Sequence, residues 1–371
     1  MRLTNFWWLL IWLFTIGLML EFLVSKRREI VNGKTEYRWR PGAAAILVFP
    51  YIIWAGFRDT TGAYGDSLAY YSMFKRVPVE VGAFVDYLET ISKDKSYTIF
   101  MFLVKRMIGD HPYVFLTIVA MVQMLLFVRI FRRYSLDFWF SFFVFVASTD
   151  YMSWMHNGTR QFLAVTIIFA GTDLWVEKKY IPLILLILLA ATFHASALIM
   201  IPIIFISEGR TWSLKTIILM GVTIAAIIYI NQLTDFLNDV LAETQYTNVV
   251  PDWQMMGDDG TNPIRAVVYS VPAVLSFIGL KYIRRADERI INLSVGCAVC
   301  SSLIYVLSIF TSGIFIGRLP IYMGLYASGI LLPWELENVF SSNSGRIVKG
   351  MAIVFYCIFF YYQMHFAWGL L

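Results

Sequence analysis

Apolar stretches recur along the whole chain, at about 6–24, 42–57, 97–108, 113–131, 138–150, 160–176, 181–205, 212–230, 264–283, 290–310, 314–334 and 348–367, with short polar connections between them. In lipid every backbone N–H and C=O must be satisfied within the protein, so runs of this kind are read as helices. Some are shorter than the roughly 20 residues a perpendicular span needs, and their ends must extend into the polar flanks. The pattern predicts an all-α, polytopic integral membrane protein of about 10–12 transmembrane helices, some re-entrant or half helices. A single transmembrane domain over residues 1–371 is expected, since no segment is long and polar enough to stand as a soluble domain.

Composition agrees. Hydrophobic residues make up 59% of the chain and charged residues 15%, against about 25% charged in soluble domains. The run from Phe6 to Val24 has little basic character before it beyond Arg2 and no A-x-A-like site, so it is read as a retained span. Trp7, Trp8 and Trp12 suit an interfacial belt. Cys297 and Cys300 have C-x-x-C spacing without a second Cys/His pair, and are read as buried small hydrophobes.

Basic residues cluster in particular connections: Lys26, Arg27, Arg28, Lys34, Arg38 and Arg40; then Arg129, Arg132 and Arg133; Lys178 and Lys179; Arg210 and Lys215; and Lys281, Arg284, Arg285 and Arg289. The positive-inside rule puts these in the cytoplasm, which accounts for the net charge of +5 without a nucleic-acid partner. The stretch 231–263 carries Asp235, Asp239, Glu243, Asp252, Asp258 and Asp259 but no Lys or Arg, and is placed outside. Its aromatic residues include Tyr246 and Trp253.

This orientation requires that 97–108 not cross fully, and that 181–205 turn back near Thr192–Ala195, with His194 at the tip of two short helices. Irregular backbone at membrane depth belongs against protein or a water-filled cavity. The outward parts are then 58–96, 151–160, 231–263 and 311–318, three of which carry an arginine at the membrane edge: Arg58, Arg160 and Arg318.

Charged groups at membrane depth are expensive and functional by default. Arg160 opens a predicted helix, where the helix dipole already disfavours a cation unless an anion compensates. Free N–H groups plus a guanidinium make a diphosphate site; the alternative is an arginine reaching the outer headgroups. Gln161 either donates to the same anion or faces a neighbouring helix. Arg318 lies inside an apolar run with Gly313 and Gly317 before it and Pro320 after, a pattern for close backbone approach or a broken helix. Arg58 follows a helix end beside Asp59 and is equally readable as a locally paired arginine. Gly62 and Gly65 suggest a turn. Asp66 is then a candidate cap for a short helix through Phe74, or a carboxylate that orients a sugar hydroxyl, with Tyr70 one turn on. His194, next to Ser196, is either a core histidine or a general base, and His156 in the outer loop is a second base candidate. His111 and His365 have no supporting neighbours. No H-E-x-x-H, P-loop, G-x-S-x-G or carboxylate cluster occurs, so no metal or cofactor is expected.

The pairing of FRDTTGAYGDSLAYYSMF (57–74) with NGTRQFLAV (157–165) and LAATFHASAL (189–198) resembles the EpsG-like family, grouped with the Wzy-type polymerases of bacterial exopolysaccharide, capsule and O-antigen. The matching positions are Arg58, Asp66, Tyr70, Arg160, Gln161, Phe193, His194, Ser196 and Ala197. Where the family element commonly reads G-T-D, this chain has Gly65-Asp66 preceded by Ala63-Tyr64. The likeness covers about 57–205, with an arginine near 318 beyond it.

The resemblance implies a metal-independent, GT-C-like glycosyltransferase at the outer face of the bacterial cytoplasmic membrane. Its substrates would be polyprenyl-diphosphate-linked oligosaccharides. The growing glycan would pass to a new lipid-linked repeat unit, in a pathway with a flippase and a chain-length regulator. Arg160 and Arg318 would hold the donor diphosphate and Arg58 would assist. His194 or Asp66 would deprotonate the acceptor, with Tyr70, Gln161, His156 and Ser196 on the substrate. A lipid-linked oligosaccharide flippase and a membrane O-acyltransferase are the alternatives.

Overall fold

Proline and polar caps set where the helices begin. The computed structural model describes residues 6–23, 26–31, 34–60, 65–230, 232 and 260–371; the expected turn at Gly62 and the six carboxylates of the acidic stretch lie outside these. Pro41 occupies the first turn of the helix Pro41–Gly56, where its missing N–H costs nothing. Asp137 accepts from the Phe140 amide at 2.9 Å to start Phe138–Ala147. Asn262 caps Pro263–Ile278 in the same way through Ile264.

The chain is all-α and polytopic. Among the described residues three helices, Pro112–Tyr134, Arg289–Ile309 and Ser342–Ala367, are long and apolar enough to cross a membrane unaided. A fourth span forms if Pro263–Ile278 and Leu280–Ala286, bent by 71° at Gly279, are taken together. Trp8–Leu23, Pro41–Gly56, Phe138–Ala147, Thr159–Ala170, Tyr180–Phe193, Ala195–Ser207 and Leu214–Ile228 are shorter apolar helices. The helix Lys95–Ile108 is 14 residues long, about 21 Å at 1.5 Å per residue. That is too short for a hydrocarbon core of about 30 Å.

One local departure from the sequence pattern stands out. The basic connection 25–40 contains a β-hairpin, Lys26–Val31 pairing antiparallel with Lys34–Trp39 and Arg27 opposite Arg38. The Asn32-Gly33 dipeptide between the strands is a strong hairpin signal that the concentration of positive charge obscured. The apolar run 181–205 does break where expected: Tyr180–Phe193 ends, His194 is extended (φ −159°, ψ 112°), and a 3-10 turn, Ala195–Ile199, leads into Met200–Ser207.

The described residues form two units, Met1–Ala197 with Phe340–Leu371, and Leu198–Val339. In the first, Pro112–Tyr134 packs between Pro41–Gly56 and Thr159–Ala170, and the latter also carries Tyr180–Phe193. Small residues allow this closeness. A Cβ on Gly56 would lie 2.7 Å from the Thr117 Cα, nearer than two helices tolerate. Because lipid is as apolar as leucine, helix association here rests on packing rather than on escape from water. An aromatic core supplies it: Phe127 meets Phe131, Phe142, Phe145 and Phe162, with ring centroids 4.9–6.4 Å apart. Such pairs are each worth about 0.5–1.5 kcal/mol.

In the second unit Arg289–Ile309 packs against Pro263–Ile278, Met200–Ser207 and Ile321–Tyr326. Gly296 admits Ser207 closely, and Cys297 and Cys300 are buried free thiols on the same helix. Leu214–Ile228 buries no residue, as suits a helix facing lipid.

One buried cation fixes the first unit locally. Lys105, 4% exposed, donates to the carbonyls of Phe74, Lys75 and Val77 at 3.0, 2.8 and 2.9 Å. These carbonyls gather at the C-terminal end of Ser67–Arg76, where a cation suits the dipole. Asp110, at 3.3 Å, is its carboxylate partner. Lys105→Met should therefore destabilise the protein by about 2–3 kcal/mol, the scale for losing hydrogen bonds to a charged group. Thermal unfolding in nanodiscs should show a lowered midpoint.

Candidate functional site

The site grows from a tight turn before the helix Thr159–Ala170. Phe138–Ala147 ends, Thr149 takes a left-handed φ of 67°, and a π-helical segment, Tyr151–Asn157, follows; Gly158 N–H closes it onto the Ser153 carbonyl at 2.9 Å. Thr159 Oγ1 donates back to Met155 O at 2.9 Å, and Gln123 donates to Thr159 O at 2.8 Å. Arg58 clamps the turn from below. Its guanidinium donates to Met155 O at 2.6 Å and to Thr159 Oγ1 at 3.3 Å, and the side chain is 2% exposed. Burial pulls it down to about 10, still charged at neutral pH.

A second element docks on this turn. Gly65 takes a left-handed φ of +57°, and a Cβ there would meet Asn157 Oδ1 at 2.5 Å. Both facts require glycine. The Asp66 amide then donates to Asn157 Oδ1 at 3.2 Å, and Tyr70 lies over the turn, its hydroxyl 3.4 Å from Asn157 O and 3.5 Å from the Arg160 amide. Asp66 occupies the N-cap position of Ser67–Arg76, but its side chain makes no capping bond and is exposed.

Arg160 projects from the first turn of Thr159–Ala170, and its side chain is 30% exposed. Its guanidinium sits over the Tyr70 ring, 5.9 Å from the centroid, and pairs with Asp94 Oδ2 at 2.9 Å. The anion that the helix dipole demanded is thus a residue of the chain itself. Asp94 is the residue that sequence reasoning missed. It precedes Lys95–Ile108 in a left-handed conformation (φ 55°, ψ 42°), and its side chain is only 7% exposed. Burial pushes its carboxyl above the ordinary value, while Arg160, Lys93 and the Ala195 backbone N–H favour the charged form. The available signal was indirect: Asp94 is the one acidic residue between Thr90 and Gly109, and Arg160 needed a partner.

Gln161, next along the helix, points to the other half of the site. Its side-chain amide donates to Ser196 Oγ at 3.2 Å, and Ser196 Oγ lies 2.7 Å from His194 Nδ1. With Gln161 donating, the serine hydroxyl is free to donate to Nδ1. His194, at the break after Phe193, is partly exposed. Arg160, Gln161, Tyr70, Asp94, His194 and Ser196 are therefore linked by contacts within the first unit. Tyr97, 0% exposed, lies beneath them with its ring 6.1 Å from that of Tyr70.

His156 and Arg318 have surroundings of their own. His156 is not in an open loop, because it lies within the π-helical segment Tyr151–Asn157. It is fully buried, 4.8 Å from the Trp54 ring and 5.2 Å from Tyr151. Arg318 belongs to the second unit, where it ends a 3-10 turn, Ile316–Arg318, and is exposed. Gly313 and Gly317 pack closely on Gly260 and Thr261, the close backbone approach their spacing suggested. Among the described residues no three His, Cys, Asp or Glu side chains converge as a metal-ligand set.

The family model described as the EpsG family matches residues 43–368. No curated protein and no solved structure matches the chain.

The contacts separate Arg58 from Asp66. Arg58→Met leaves the Met155 carbonyl and Thr159 hydroxyl without their donor and should cost about 2–3 kcal/mol. Asp66→Asn should leave the thermal midpoint of the purified protein unchanged.

Proposed function

The chain belongs to the EpsG family, and from that premise we propose that it polymerises polyprenyl-diphosphate-linked oligosaccharides at the outer face of the cytoplasmic membrane. The acceptor hydroxyl oxygen attacks the anomeric carbon of the donor glycan. The bond from that carbon to the diphosphate breaks, and polyprenyl diphosphate leaves with the electron pair. The acceptor proton passes to a base on the protein.

One observation carries this reading: Arg160 stands at the N-terminus of an apolar helix, joined through Gln161 and Ser196 to His194. The free N–H groups of a helix N-terminus and a guanidinium together suit a diphosphate, whose negative charge grows as the glycosyl bond breaks. Arg160 takes that role. His194, oriented through Nδ1 by Ser196, presents Nε2 as the base, a task within reach of an imidazole near neutral pH. The Tyr70 ring holds the guanidinium by a cation–π contact, leaving Gln161 to position the histidine pair. Arg58 acts by shaping the turn from which Arg160 projects. Asp66, exposed next to this turn, is a contact for the acceptor sugar. In this reading the arginines hold the anionic ligand, and the transfer needs no metal ion.

The test is polymerisation by the purified protein in nanodiscs supplied with synthetic polyprenyl-diphosphate repeat units, read as glycan length on a gel with and without chelator. A ladder that survives chelator and falls by about 10²-fold in Arg160→Ala, the scale for removing one preorganised donor to a developing anion, is the expected result. His194→Ala should also slow the ladder, and Arg318→Ala tests the second unit's arginine separately. Normal ladders in Arg160→Ala would sink the diphosphate assignment. Intact substrate crossing the bilayer without a ladder would indicate a flippase, and acylated glycan of unchanged length an acyltransferase.

A further inference from the structure

Arg160 already holds an anion. Its partner, Asp94, is not a surface carboxylate that happens to be near: the side chain is 7% exposed, and its backbone adopts a left-handed conformation that only a minority of non-glycine residues take. The Ala195 backbone N–H, beside His194, also favours the charged form of Asp94. Among the described residues the buried Asp94 Oδ1 has no hydrogen-bond partner, and leaving a buried acceptor unmade at low dielectric is costly. Asp94 meets the Arg160 guanidinium through Oδ2, and its other oxygen is left over.

We propose that Asp94 is a built-in counter-anion for Arg160 that an incoming diphosphate must displace, and that this competition sets the site's preference for diphosphates over singly charged anions. The inference rests on the polymerase reading only in taking Arg160 as the diphosphate-binding group. A carboxylate at 2.9 Å brings a full negative charge to the guanidinium. A ligand that offers one negative charge gains little by replacing it, while leaving Asp94 buried and unpaired. A diphosphate brings more charge and several acceptor oxygens, enough to engage the guanidinium fork at more than one nitrogen. The Tyr70 ring keeps the guanidinium in place during the exchange. Asp94 is a specificity-determining residue in this scheme and need not touch the reacting atoms.

Binding of inorganic pyrophosphate and inorganic phosphate to the protein in nanodiscs, followed by calorimetry, tests this without any turnover. The wild type should bind pyrophosphate at least tenfold more tightly than phosphate, and Arg160→Ala should lose pyrophosphate binding. Asp94→Asn removes the competing charge, so both anions should bind more tightly, phosphate by about tenfold, and the preference should shrink. Asp94→Glu, which keeps the charge, should keep the preference and guards against a folding defect in the first variant. If Asp94→Asn binds both anions more weakly while Asp94→Glu is unaffected, Asp94 is a strut for Arg160 and the inference is overturned, with the diphosphate site intact. If pyrophosphate binds equally well to Arg160→Ala, the site itself is wrong and the reading beneath falls with it.

Discussion

A positive charge at the N-terminus of an apolar helix must be compensated, because the dipole and the low-dielectric surroundings both oppose it. Much of the first unit's polar structure meets that constraint at Arg160. Asp94 supplies the opposite charge, Tyr70 supplies a ring face, and the turn 151–158 holds the helix start in position. Each comes from a different element, so a ligand that alters the charge on Arg160 acts on all of them.

The same unit treats its other buried cations differently. Arg58 is held by a carbonyl and a hydroxyl, and Lys105 mainly by three carbonyls at a helix end. Carbonyl dipoles carry most of the compensation in both cases, and both groups, 2% and 4% exposed, are closed off from a ligand. Arg160, 30% exposed and paired with one carboxylate oxygen, is committed less. The contrast in partners separates the cations that maintain the fold from the one suited to a ligand.

Close backbone approach makes this arrangement possible. Gly65 brings the start of Ser67–Arg76 onto Asn157, and Gly56 lets its helix lie against Thr117. In a bilayer, where contact area rather than dehydration holds helices together, these small residues decide which faces meet. The π-helical turn before Gly158 does the rest, turning His156 into an aromatic box while Arg160 faces the site.

The sequence by itself determined the helical, membrane-embedded character of the chain, the break beside His194, the helix start at Arg160 and the family. Each of these depends on local signals, namely apolar run length, basic clusters and short motifs. It did not disclose the strand pair at 26–31 and 34–39, because clustered positive charge drew the reading to topology, nor the burial of His156, because a π-helical turn leaves no periodic trace. Asp94, flanked by Lys93 and Lys95 ahead of an amphipathic helix, has every mark of a solvated cap. Only the tertiary structure carries it to Arg160 and buries the pair. Arg58 likewise meets Thr159 across 101 positions of sequence. Contacts of that separation follow from how helices pack, and packing is set by the shapes of faces that no local pattern records.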